Sequence, residues 1–410
     1  MRSSELDGIF GHRNCLRPRL LFALLAGASC SQIAAQTDAL RAAELAAASS
    51  EDRRLELPLY RTIPAAPVEE MTPTNGWPQP ASFRNWQRSH GGPAGTRYSS
   101  LNQIHRGNVT QLEVAWTYRS GDRRSERGLN VQANPIIVDG VLYAPTVGRA
   151  LVALDAATGR ELWRYVPDEK YGGAEGEATA QRGLVYWPGE AGHAARLLFN
   201  SGQHLYALDP KTGRPIGSFG EGGRTRTGIV ATAGAIYRRV ITHPSKSEAA
   251  VFGYDTITGR QLWRFNTGPQ PGERFYDPNV EPQIGARSWG GIALDESRGL
   301  VFLCLGNPRF KQGISGPINE SLFGDSVVAL EAETGRYVWH FQEVRHNIWD
   351  MDLPAPPILA TVERHGKRVD AVIALTKLGN TLVLDRVTGR PLFDFWLRRA
   401  PVWRLPGVNT

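Results

Sequence analysis

Two carboxylates stand two positions apart beside a tryptophan in the stretch EVRHNIWDMDLPAPP, residues 343–357: Asp350 and Asp352, next to Trp349. The stretch joins a strand-like run to a proline-stiffened loop. Further on, TKLGNTLVLDRVTG puts Lys377 just ahead of an apolar strand. A carboxylate can take a proton, and an ammonium can stabilise developing negative charge. Held together by a rigid scaffold, the two suit a chemical site. On the residues alone, a turn-capping Asp350 and an exposed lysine at a strand start stand equally open.

The scaffold is legible in a repeat. A unit of the form apolar-x-Leu-Asp/Glu-x-x-Thr-Gly-Arg recurs as VALDAATGRELW, YALDPKTGRPI, GYDTITGRQLW, VALEAETGRYVW and LVLDRVTGRPLF. Thr158, Thr212, Thr258, Thr334 and Thr388 mark its phase, at spacings of 54, 46, 76 and 54 residues. Periods of roughly 20–50 residues signal propellers, solenoids or arrays, with insertions falling in loops. The 76-residue interval holds an insertion or an unmarked unit. Within each unit the Asp can accept turn amide hydrogens, and Thr-Gly allows the left-handed residue of a tight hairpin. The β-branched run before the turn and the Trp after it both read as strand. A Trp repeated at one place serves as a wedge between neighbouring sheets. Forty-four Gly and 27 Pro supply the turns, and no long stretch of helical period follows residue 60. The reading is all-β, with radially packed antiparallel sheets.

The segments 83–122, 130–165, 288–307 and 343–390 closely resemble the pyrroloquinoline quinone (PQQ)-dependent, or quinoprotein, alcohol, glucose and quinate dehydrogenases. Over residues 80 to 410 the turn repeats, the GTRYS element and the WDMD element come in that family's order. The resemblance implies a β-propeller of four-stranded blades, eight in the family, with the cofactor over the central axis. About 330 residues, at roughly 45–55 per blade, leave room for six or seven. LRRAPVWRLPGVNT matches a family connection that leads into further strands, so the expectation is a propeller lacking its C-terminal blades.

PQQ is a flat tricarboxylated orthoquinone; its site needs an aromatic face, cations for the carboxylates, a hard cation and a base. The resemblance implies each part. Asp350 matches the aspartate that both touches the metal and takes the hydroxyl proton, and Asn307, in LGNP, matches the amide ligand to that metal. Hard cations take oxygen ligands, so Ca²⁺ or another hard cation is expected. Lys377 matches the cation beside the quinone oxygens. Trp289 does not follow a Thr-Gly turn and matches the tryptophan that floors the ring. Gln132, in NVQANP, matches a hydrogen-bonding Glu/Gln, and Arg182 matches an arginine near the carboxylates. Asp352 matches a ligand of lanthanide-using members, yet the sugar-oxidising branch carries the same aspartate without that metal, and a turn role is expected for it. Glu248 matches the third metal ligand only loosely and reads as a solvated loop residue. His243 and His346 read as polar loop residues, since no second ligand sits at metal-type spacing.

Residues 1–36 place Arg13, Arg17 and Arg19 before LLFALLAGAS and a run of small residues, the order of a secretory signal peptide. The apolar run is too short for a permanent membrane span. Cys30 in LAGAS-Cys lacks the usual leucine of a lipoprotein signal. Residues 37–80 read as a helix and extended linker. The mature chain would keep Cys304 alone and no internal disulfide; EATAQRGLVYW stands where some family members carry a vicinal cysteine pair. Cys304, in VFLCLGN, reads as core. No Cys-x-x-Cys-His occurs, so the chain carries no c-type haem of its own. A net charge of +7, from 47 basic and 40 acidic residues, is spread along the chain without aromatic interleaving and speaks against nucleic-acid binding. The expectation is a periplasmic oxidoreductase acting on an alcohol, sugar or polyol, with cytochrome c or ubiquinone as separate electron acceptor. A non-catalytic envelope scaffold or an inactive fragment is the alternative, because fold alone does not fix function.

Overall fold

The computed structural model describes residues 85–122, 131–167 and 183–393, apart from 191, 231, 246, 272–284, 308–322, 345–346, 348–349 and 365. The expectations for residues 1–80, Arg182, His346 and the C-terminal connection fall outside them.

Among the described residues, nineteen strands form five antiparallel sheets, and within each sheet a strand pairs with its neighbours in chain order. Sheet 1 holds β1 (Ile136–Val138), β2 (Val141–Pro145), β3 (Leu151–Asp155) and β4 (Glu161–Tyr165). Sheet 2 holds β5 (Leu184–Trp187), β6 (Arg196–Ser201), β7 (His204–Leu208) and β8 (Arg224–Arg226). Sheet 3 holds β9 (Ala235–Tyr237), β10 (Val240–Pro244), β11 (Ala250–Asp255) and β12 (Gln261–Asn266). Sheet 4 holds β13 (Ile292–Asp295), β14 (Leu300–Cys304), β15 (Ser326–Glu331) and β16 (Tyr337–Gln342). Sheet 5 holds β17 (Ile358–Arg364), β18 (Lys367–Leu375) and β19 (Thr381–Asp385). A single 3₁₀ turn, Val109–Gln111, is the one helical element among the described residues. The first strand of each sheet lies beside the first strand of the next, the radial order of a propeller.

The turn chemistry works as the repeat predicts. Asp155 Oδ1 accepts the Thr158 amide at 2.9 Å and the Thr158 hydroxyl at 2.8 Å. Asp255 and Asp385 repeat the pattern, and in the fourth unit Glu331 accepts the Thr334 hydroxyl at 2.7 Å. Each Trp then leans on the next sheet's turn. Trp163 donates to Pro210 O, Trp263 to Ala332 O and Trp339 to Arg386 O. At Gly335, φ is +70° and a Cβ would stand 2.4 Å from the Trp263 ring, so only glycine suits both the turn and the wedge. Trp116 donates to Ala156 O in the same manner, ahead of sheet 1.

The core lies between sheets. One cluster packs Leu205 and Phe219 against Ile241 and Phe252, joining sheets 2 and 3; another packs Phe302 and Trp339 against Leu359 and Val372, joining sheets 4 and 5. Burial of both faces explains strands such as β6 and β11, in which every residue is buried. Cys304 is buried, as expected of a core residue. Among its described residues, the 76-residue interval contributes no additional sheet. His243 corrects the sequence reading. It lies within β10, 2% exposed, because the β-branched run VIT carries the strand through to Pro244.

Candidate active site

The loop from Glu343 to Pro357 leaves β16 of sheet 4 and feeds β17 of sheet 5. The hairpin Thr376–Asn380, between β18 and β19, reaches back toward it. Lys377 sits on that hairpin and donates from Nζ to Asp350 O at 2.7 Å and to Asp350 Oδ2 at 3.1 Å. Asp350 takes a left-handed backbone, φ 60°, which leaves its carbonyl and its carboxylate on the same ammonium. Its side chain is 78% exposed, so a substrate could reach it. The Lys377 ammonium also stands 5.8 Å from the Trp289 ring centroid, within cation–π range.

Asp352 is the joint of the cluster. Its Oδ2 accepts the Trp289 indole N–H at 2.8 Å, its Oδ1 accepts the Asn307 backbone N–H at 2.5 Å, and Lys377 Nζ lies 3.7 Å away. A Cβ at Gly306 would come within 2.5 Å of Asp352 Oδ1, so a glycine at 306 makes room for the carboxylate. The turn role expected for Asp352 is therefore corrected. Its partners lie 45 and 63 residues earlier in the chain, which local sequence cannot reveal.

Behind this layer lie two further carboxylates that the sequence reading missed. Glu343 is 5% exposed and accepts from Thr376 Oγ1 at 3.0 Å and from Asn380 Nδ2 at 2.7 Å. Burial pushes its carboxyl above the ordinary range, and those two hydrogen bonds oppose the shift. Asp325, 1% exposed with φ 48°, is pushed up to about 7 by burial, with the charges of Asp352, Glu343 and Asp350 adding and Asn347 opposing. A charged residue just ahead of the apolar run SVVALE was the one available signal for Asp325.

Trp289, Asn307, Asp350 and Lys377, drawn from sheets 4 and 5 and their loops, thus meet in one place. Gln132 stands exposed on the lead into β1, and Arg182 lies outside the described residues. Glu248 pairs with Arg264 at 2.8 Å and is part-exposed. The donor set fits a hard cation. Asn307 Oδ1 is buried without a hydrogen-bond partner among the described residues, beside carboxylates that outnumber the one lysine.

Residues 86–410 match the family described as PQQ: glucose/ethanol/alcohol dehydrogenase, beta-propeller domain. The chain belongs to this family. Quinoprotein glucose dehydrogenase A of Acinetobacter calcoaceticus is 31% identical over 359 residues, covering 75% of this chain and 44% of the relative. Quinohemoprotein alcohol dehydrogenase ADH-IIG of Pseudomonas putida is 33% identical over 325 residues, covering 72% and 43%. The solved structure of quinohemoprotein alcohol dehydrogenase ADHIIG from Pseudomonas putida HK5 superposes with a TM-score of 0.64 at 29% identity, covering 76% of this chain and 48% of that one. The chain thus spans less than half the length of the relatives it matches. The family's propeller fold agrees with the five antiparallel sheets seen among the described residues.

Proposed function

We propose that the chain is the propeller portion of a PQQ-dependent dehydrogenase that oxidises a CH–OH group of an alcohol, sugar or polyol. The observation that carries this reading is the convergence of Lys377 and Asp350 beside the Trp289 ring, braced by Asp352. Bound PQQ would supply the two-electron acceptor. Trp289 offers the flat apolar face against which such a ring is held, and its nitrogen is already committed to Asp352, which fixes the indole plane. Lys377 offers a positive charge to anionic oxygen at the ring edge. Asp350 Oδ2 is the acceptor for the substrate's hydroxyl proton, being the exposed carboxylate of the group. Asn307 Oδ1 and the Asp350 carboxylate are the oxygens that would hold Ca²⁺ or another hard cation.

The same reading places the chain in the periplasm by way of a signal peptide at residues 1–36. It passes electrons to a separate cytochrome c or ubiquinone. The redox chemistry belongs to the cofactor, and the protein contributes binding, orientation and charge. The purified chain, loaded with PQQ and Ca²⁺, should reduce an artificial dye when offered a panel of alcohols and sugars. Full cofactor occupancy without turnover on any of them would overturn the assignment.

A further inference from the structure

Lys377 stands on a five-residue hairpin, Thr376–Asn380, closed from within by the Thr376 amide on Asn380 O and the Asn380 amide on Thr376 Oγ1. Nothing in that closure fixes where the hairpin sits relative to sheet 4. Glu343 does. It is the residue at which the Asp350-bearing loop leaves β16, and its amide is tied to Asp325 O at 3.0 Å. From there one carboxylate oxygen, Oε1, takes both hairpin donors, Thr376 Oγ1 at 3.0 Å and Asn380 Nδ2 at 2.7 Å. The other oxygen, Oε2, is buried with no hydrogen-bond partner among the described residues. A buried carboxylate with half its acceptor capacity unmet is costly. A sheet-to-sheet bond alone would be met more cheaply by an apolar contact of the kind that joins sheets 4 and 5 elsewhere.

We infer that Glu343 is a positioning residue: it latches the Lys377 hairpin to the root of the Asp350 loop and so sets the distance between that lysine and that aspartate. The Lys377–Asp350 pair joins a hairpin of sheet 5 to the loop that connects sheets 4 and 5, across 27 residues of sequence. Glu343 is bonded to the flanks of one end, Thr376 and Asn380, and begins the loop that carries the other. The inference rests on the PQQ reading of the site, and it adds a residue that touches neither cofactor nor substrate.

A double-mutant cycle on PQQ affinity tests it, read by quenching of tryptophan fluorescence in the full chain with Ca²⁺ present. Lys377→Ala weakens PQQ binding, and Glu343→Ala weakens it by a comparable factor, on the order of tenfold, the worth of one charge-assisted contact. In the Lys377→Ala background, Glu343→Ala adds little further, because the group it positions is gone. Glu343→Gln keeps an acceptor oxygen for the same donors and retains most of the affinity. Asn380→Ala, in the exposed hairpin, shows the same dependence on Lys377 and serves if Glu343→Ala fails to fold. Equal weakening by the Glu343 or Asn380 change with and without Lys377 marks plain loss of structure and overturns the inference while leaving the PQQ reading intact. A wild-type chain that binds no PQQ overturns both.

Discussion

At the scale of single residues, the site is a problem of placing four acidic groups around one lysine. Asp352 solves part of it by making its charge do structural work, holding the indole of Trp289 and the backbone of Asn307 with separate oxygens. Replacing it by alanine strands both donors, and hydrogen bonds to charged groups contribute about 1.5–3 kcal/mol each. Asp352→Ala should therefore lower stability by about 3 kcal/mol in urea melts and shift the Trp289 indole N–H resonance; a loss below about 0.5 kcal/mol would show the contacts to be idle. Asp325 makes a pH-dependent contribution of opposite sense. Its folded-state carboxyl is raised to about 7 from an ordinary 3.8. Below pH 4 both folded and unfolded chains hold the proton. Between about 4 and 7 only the folded chain does, so stability falls as pH rises through that window and levels off above it. Asp325→Asn removes this slope. In metal-free protein it should be more stable than wild type at pH 8, by up to about 4 kcal/mol, and the advantage should vanish near pH 4. A constant difference across that range would show that Asp325 is not held protonated.

At the scale of elements, legibility follows the range of the forces involved. The Asp–Thr–Gly turns were readable because donor and acceptor lie three residues apart, as at Asp155 and Thr158. The tryptophan wedges were readable because three of the five turn repeats place one at the same position after the turn. The donors that hydrogen-bond the Asp352 and Glu343 carboxylates lie 33 to 63 residues away, and no local pattern announces them. The grouping of Trp289, Asn307, Asp350 and Lys377 came from family resemblance, and their own spacing was silent. His243 was read as a loop residue because no second ligand stood at metal-type spacing; the β-branched run ahead of it, which carries the strand through to Pro244, was the missed signal. The wedges also differ among themselves. Trp263 is 8% exposed within the cluster joining sheets 3 and 4, whereas Trp163 remains half-buried at the sheet 1–2 seam. Truncating a buried tryptophan costs about 3–5 kcal/mol. Trp263→Ala should reach that range and Trp163→Ala should fall well below it in matched denaturant melts. Equal losses would mean that the N–H bond to the turn carbonyl, common to both, outweighs burial.

At the scale of the whole molecule, the segment from Trp86 to Gly95 ties together the first strands of four of the five described sheets. Trp86 exchanges backbone hydrogen bonds with Ile137 of β1, and Gln87 O accepts the Tyr186 amide of β5. Pro93 O accepts the Leu294 amide of β13, and Ala94 O accepts the Leu359 amide next to the start of β17. One short strap thus joins sheets 1, 2, 4 and 5. Arg88 is its anchor, 5% exposed, donating from Nη2 to Ile292 O at 2.5 Å and from Nη1 to Pro93 O at 3.3 Å. Burial lowers its guanidinium to about 10, with Glu296 opposing, so it remains charged at neutral pH. Arg88→Ala leaves Ile292 O without its charged donor and opens a cavity between the strap and β13, at a cost of about 3 kcal/mol or more. The pattern matters more than the size. Because the strap is shared, hydrogen exchange should quicken together in β1, β5, β13 and β17, as one cooperative unit. Trp263→Ala should instead loosen β12 and the sheet 3–4 seam first. If Arg88→Ala exposes β13 alone while β1, β5 and β17 keep their protection, the strap is a passenger on sheet 4 and the inner strands are held by their side-by-side packing.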